Sequence, residues 1–326
     1  MNISPQKVAS KIELTYEKNI FSFPLKYQFH FFLRLFRITG DKKYLMPILT
    51  YQKLRAIETI QMIKNRNQKL FLEKKSNNLF KKLPKRGEKN KKRREVFQKN
   101  KQILFYFYLV ESLYQWKVFK ISENEFFQKY YNEGIEYLSK IDFGKIIFEK
   151  DLFLHYSAQV VNQVYYLEYL GISTLKERLL KDFQKIFFQK EKESLYDFKN
   201  KIYGLTHLII TDSDYYQRFV SKKKNKWILD YFEKNLSRIF KETNPDIVGE
   251  VGISFKLCRE NSPAVLKKIK NYLIFSFDQK RGYIPKKDTR ENDDLQKAEH
   301  RNIIALMFLK DFKELYKGPN LIKFTF

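Results

Sequence analysis

FHFFLRLFRITGDKKYLMPI, residues 29–48, is the stretch that decides the fold. With Leu25 just before it, Phe29, Phe32 and Phe36 recur at steps of three and four residues, the repeat of one helix face. Gly40 follows where a helix end needs a residue free to take positive φ, and a second helix-like segment runs from about Lys43 to Lys64. Two helices joined by so short a loop pack as an antiparallel hairpin.

The same pattern continues outward. The spacing predicts helices over 25–38, 43–66, 99–118, 123–140, 151–170, 174–189, 195–211, 224–241, 245–258, 263–276 and 296–316. Ser122 with Glu125, and Thr174 with Glu177, read as capping boxes. Asn244 before Pro245 and Ser262 before Pro263 each place an N-cap residue ahead of a proline at the first helical position, and Gly171 closes the helix through Leu170. Only 10 Gly and 8 Pro occur in 326 residues, too little turn chemistry for many short strands. The expectation is a single all-α domain of repeated helical hairpins, either closed as an α/α toroid-like ring or open as an α-solenoid.

A formal charge of +27, from 64 Lys and Arg against 37 Asp and Glu, has two readings. An anionic partner is one; an A+T-rich codon pool, which favours Lys, Asn, Ile, Phe and Tyr, is the other. Residues 74–101 hold thirteen Lys or Arg against two Glu, a net +11. This segment reads as an exposed, mobile loop inserted between helices, or alternatively as a nucleic-acid-contacting arm. The arm would be made of Lys81, Lys82, Lys85, Arg86, Lys91, Lys92, Arg93 and Arg94. Only Phe80 and Phe97 are interleaved with these cations, which argues against sequence-specific single-strand recognition.

Cys258 is the single cysteine and sits in an apolar run, so no intrachain disulfide forms and burial is its expected fate. The first twenty residues carry Lys7, Lys11, Glu13 and Lys18 and lack the apolar core of a secretory signal; no run approaches the ~20 apolar residues of a membrane span. A cytoplasmic location is the default expectation.

Four segments carry candidate chemistry. Gln159, Asn162, Gln163 and Tyr166 share one side of a helix among apolar neighbours, where amides must pair or face a ligand. Tyr203 and His207 share a face of the 195–211 helix, which leaves through Asp212 to Tyr215 and Tyr216. Glu250 lies among Ile247, Val248, Val251 and Ile253, surroundings in which a carboxyl needs a cation or donors and otherwise keeps its proton. Glu299, His300, Arg301 and Asn302 crowd the start of an apolar helix. No Walker loop, G-x-G-x-x-G, H-E-x-x-H, paired C-x-x-C or nucleophile elbow is present, and no spacing demands a metal. The sequence names no cofactor.

The segments FHFFLRLFRITGDKKYLMPI, SAQVVNQVYYLEYLG, NKIYGLTHLIITDSDYYQ, EVGISF and AEHRNIIALMFL resemble a bacterial family, domain of unknown function 3541, over about Phe21 to Leu309. Its most specific parts are Tyr203 to His207 and Glu299 to Asn302. The resemblance implies kinship without a reaction. Several members begin with an export signal that this sequence lacks, which leaves the compartment open; the basic 74–101 segment has no counterpart in the family pattern.

Two function classes remain. In the first, an enzyme or binder of a small or polymeric ligand, carbohydrate- or peptide-like, uses Glu250 and Glu299 as acid and base and His207 or His300 as proton shuttle. Gln159, Asn162, Gln163, Tyr203, Asp212, Tyr215, Tyr216 and Asn302 would then line its site. In the second, a non-enzymatic scaffold binds nucleic acid or another anion through residues 74–101.

Overall fold

The structure is a computed structural model and describes residues 3–189, 192–286 and 294–322. Among these residues it contains seventeen α-helices and no strand, so the chain is all-α. In chain order they are α1 (Pro5–Asn19), α2 (Leu25–Thr39), α3 (Leu45–Lys64), α4 (Lys69–Lys81), α5 (Glu88–Lys99) and α6 (Gln102–Val118). There follow α7 (Glu125–Ser139), α8 (Phe143–Ile147), α9 (Lys150–His155), α10 (Ser157–Leu170), α11 (Lys176–Phe188) and α12 (Leu195–Asp212). The last five are α13 (Lys222–Lys234), α14 (Leu236–Glu242), α15 (Pro245–Leu257), α16 (Pro263–Ser276) and α17 (Glu299–Leu309).

Where the sequence reads as one array, the chain divides into two compact units, residues 1–51 with 208–317 and residues 52–207 with 318–326. The first is built round α17, on which every residue except His300 is buried. It packs against α1, α2, α15 and α16. Two glycines let α15 approach it: a Cβ at Gly249 would meet Ile304 Cγ2 at 2.7 Å, and one at Gly252 would meet Phe308 Cδ2 at 2.6 Å. The second unit has α6 as its core helix, packed against α4, α7 and α10.

Local rules explain the ends. Gly40 (φ 67°) and Gly171 (φ 76°) are left-handed C-caps, as expected. Gly40 has a second reason to be glycine, because the Tyr316 ring lies 2.6 Å from where its Cβ would stand. Pro245 and Pro263 open α15 and α16. The capping boxes are not formed: Asn124, not Ser122, caps α7 through its side chain, and Leu175 precedes α11 with no side-chain cap.

Residues 74–101 are mostly helical: 74–81 complete α4 and 88–99 form α5, with 82–87 as the connection between them, because Ser76, Phe80, Val96 and Phe97 form a narrow buried stripe that anchors an otherwise charged surface. Cys258 is buried as expected, and burial pushes its thiol up to about 12.

Candidate functional site

Two carboxylates and two imidazoles form a continuous hydrogen-bonded line in the first unit. Glu299 Oε1 lies 2.8 Å from His30 Nδ1; His30 Nε2 lies 3.4 Å from His300 Nδ1; His300 Nε2 lies 3.3 Å from Glu250 Oε1. Each group is where it is for a structural reason. His30 sits on the side of α2 away from Phe31, Phe32 and Leu35. Glu299 and His300 occupy the first turn of α17, where negative charge complements the helix dipole. Glu250 projects from α15 between the two glycines that hold α15 against α17.

Exposure separates their roles. Both carboxylates have only 2% of their side-chain surface exposed, against 27% for His30 and 34% for His300. The imidazoles therefore face outward and the acids stand behind them, the orientation in which a carboxylate fixes the tautomer of a ring.

The contacts place all but one of the protons. With His30 donating from Nδ1 to Glu299 and His300 from Nε2 to Glu250, one proton lies between His30 Nε2 and His300 Nδ1, and the ring that holds it is the imidazolium. Electrostatics assign it to His300 and leave His30 neutral. Burial, with the Arg34 charge, lowers the His30 pKa to about 4 in spite of Glu299. Burial also opposes charge on His300, but the hydrogen bond and charge of Glu250, with Asp246 behind, raise it above its ordinary value.

Three further groups border the line. Arg34, one turn after His30, donates from Nη1 to the His30 carbonyl at 3.3 Å and lies 5.7 Å from the Tyr216 ring. Its Nε is buried without a hydrogen-bond partner. Asp246, one turn before Glu250, has a buried Oδ1 with no hydrogen-bond partner. Asp214, Tyr215 and Tyr216 all have positive φ, 53°, 55° and 66°. A left-handed backbone costs a non-glycine residue roughly 1–2 kcal/mol, so three in succession is strain held in place by the surroundings.

Other expected site residues have structural work. Asn302 is buried and its amide is taken up by the backbone of Ile284 in both directions, at 2.7 and 3.0 Å, and by the Ala298 carbonyl at 2.9 Å. Asp212 pairs with Lys224 at 2.6 Å and accepts a long bond from Asn225. His207 belongs to the second unit. There its Nδ1 meets Asn162 Oδ1 at 2.7 Å and its ring stands edge-on to Tyr203 at 4.8 Å. Gln163 donates to the Phe107 carbonyl at 3.4 Å, and Gln159 keeps a buried Oε1 with no hydrogen-bond partner. The residues expected to carry chemistry thus fall into two groups, Glu250, Glu299 and His300 in one unit and His207 in the other.

Of the basic arm, Lys92 pairs with Glu88 at 2.8 Å and covers Tyr196, Arg93 covers Tyr156, and Arg94 donates to the carbonyls of Phe80 and Leu83. Lys81, Lys82, Lys85, Arg86 and Lys91 remain exposed. His30, Arg34 and Asp246 escape a reading of local sequence. The one available signal for His30 was rarity, since only four histidines occur.

Among the described residues no three or more His, Cys, Asp and Glu side chains are grouped to hold a metal ion, and no helix is long and apolar enough to cross a membrane. Comparison with curated proteins and with solved structures gives no match. A family model does match, over residues 5–325, and takes in both units together with α2, α15 and α17. The chain is therefore a member of the family described as domain of unknown function 3541.

Proposed function

We propose that the protein is a general acid–base enzyme whose working groups are His30 and His300, acting on a polar, carbohydrate- or peptide-like ligand. The observation that carries this is the Glu299–His30–His300–Glu250 line. A neutral imidazole beside a charged one is a base next to an acid, which lets one group take a proton from substrate while its neighbour gives one back. Glu250 and Glu299 are orienting groups in this scheme, not the acid and base themselves. Arg34 supplies a fixed positive charge for developing negative charge, and Tyr215, held on the strained turn, offers aromatic surface.

Turnover of a panel of oligosaccharides and peptides by the full chain, beside His300→Gln as control, tests the reading. Activity lost in the variant, with its fold intact by circular dichroism, is the expected result. Equal turnover by both, or no panel member that is turned over or perturbs the His30 and His300 resonances, contradicts it.

A second reading, binding of an anionic polymer, is supported by the exposed Lys81, Lys82, Lys85, Arg86 and Lys91. It is weakened by the engagement of Lys92, Arg93 and Arg94 within their own unit.

A further inference from the structure

Helix α5 lays three successive cations of one face on three tyrosines of the second unit. Lys89 Nζ is 4.9 Å from the Tyr203 ring, Lys92 Nζ 4.3 Å from Tyr196, and the Arg93 guanidinium 4.6 Å from Tyr156. Lys92 is neutralised by Glu88 at 2.8 Å. Arg93 is not neutralised. Its Nε donates to the His155 carbonyl at 2.9 Å, its Nη2 is buried with no hydrogen-bond partner, and no carboxylate of the described residues forms an ion pair with it. A guanidinium does not shed its proton at neutral pH, so burying it without a counter-ion leaves a desolvation cost unmet; burial indeed pulls its pKa down.

The surroundings hold further unmet polar atoms. His155 Nδ1 and Gln159 Oε1 are each buried and lack a hydrogen-bond partner, and the Asn200 amide has only the Tyr196 hydroxyl beside it. Asn200 is only 2% exposed, and its carbonyl accepts from Ser157 Oγ at 2.9 Å, which ties it to the first turn of α10. That turn has no side-chain cap, so its N–H groups are a further source of donors. Cation, amide donors and tyrosine faces together describe a receptor for an oxyanion on a polar molecule.

We propose that the junction of α5, α10 and α12 binds an oxyanion-bearing ligand, with Arg93 as its charge partner and Asn200 and the start of α10 as further donors. The oxyanion is a carboxylate or a phosphate ester, groups that share the planar two-oxygen edge a guanidinium recognises. This site is independent of the histidine line.

Thermal unfolding of the full chain in sodium glucuronate, sodium phosphate or sodium chloride at equal ionic strength provides the test, because a ligand that binds only the folded state raises the midpoint. One of the two oxyanions should raise it above the chloride value, and which one does identifies the class. Calorimetric titration with that anion should show affinity reduced about tenfold or more in Arg93→Gln. Arg93→Met, which removes an unpaired buried charge, should match or exceed the wild-type midpoint in chloride. The proposal fails if neither anion exceeds chloride, if Arg93→Gln binds as the wild type does, or if either variant is unfolded or clearly less stable in chloride.

Discussion

At the scale of single residues, the account turns on where protons sit. One proton lies between the two rings of the line, and electrostatics leave His30 neutral and His300 charged. The two rings therefore contribute oppositely to the pH dependence of stability. Because the folded pKa of His30 is depressed to about 4, stability falls as pH drops from about 6.5 towards 4. Because that of His300 is raised, its contribution is complete below about 6.5 and is lost as pH rises through the folded value. Urea midpoints measured from pH 4 to 9 should therefore pass through a maximum. His30→Asn should flatten the acid limb and His300→Asn the alkaline one; a variant curve parallel to the wild type would assign that limb to other groups. Glu250→Gln removes the charge that holds His300 protonated, so the His300 pKa should fall below its ordinary value while the chain stays folded, as a side-chain titration would report.

At the scale of elements, the geometry of the line depends on how closely α15 and α17 approach. Gly252→Ala would place a methyl 2.6 Å from the Phe308 ring, and overpacking of this kind costs about 1–3 kcal/mol. Chemical denaturation should show that loss; an unchanged midpoint would mean the helices part without cost. Helices α15 and α16 were legible in the sequence because Asn244-Pro245, Ser262-Pro263 and their apolar runs mark them directly. Helices α1, α4 and α5 were not. Only Val8, Ala9, Ile12 and Tyr16 of α1 are buried, and only Val96 and Phe97 of α5, so a charged background hides a narrow stripe. The breaks that split 151–170 into α9 and α10, and 224–241 into α13 and α14, fall at Tyr156 and Asn235, where no glycine or proline announces them.

At the scale of the whole molecule, the +27 charge belongs to a chain of two compact units. Lys89, Lys92 and Arg93 of α5 lie on tyrosines of their own unit, so general affinity for nucleic acid should be low. Replacing Lys81, Lys82, Lys85 and Arg86 with Ser should leave the fold intact and take with it whatever salt-sensitive DNA binding exists, read as the slope of affinity against salt. Strong binding that survives these changes would place the contact elsewhere. Glu250, Glu299 and His300 could be singled out in the sequence because polar groups in apolar helices need partners. Their link through His30 could not, since that residue is separated from Glu299 by 269 positions and only the packing of α2 on α17 brings them together. The acid–base role proposed for the first unit rests on that link. Side-chain nitrogen NMR titration of the full chain measures it directly. His30 should titrate near pH 4 and His300 above 6.5, with each midpoint displaced when the other ring is replaced by Asn. Two histidines that titrate together near 6.5, each indifferent to loss of the other, would contradict it.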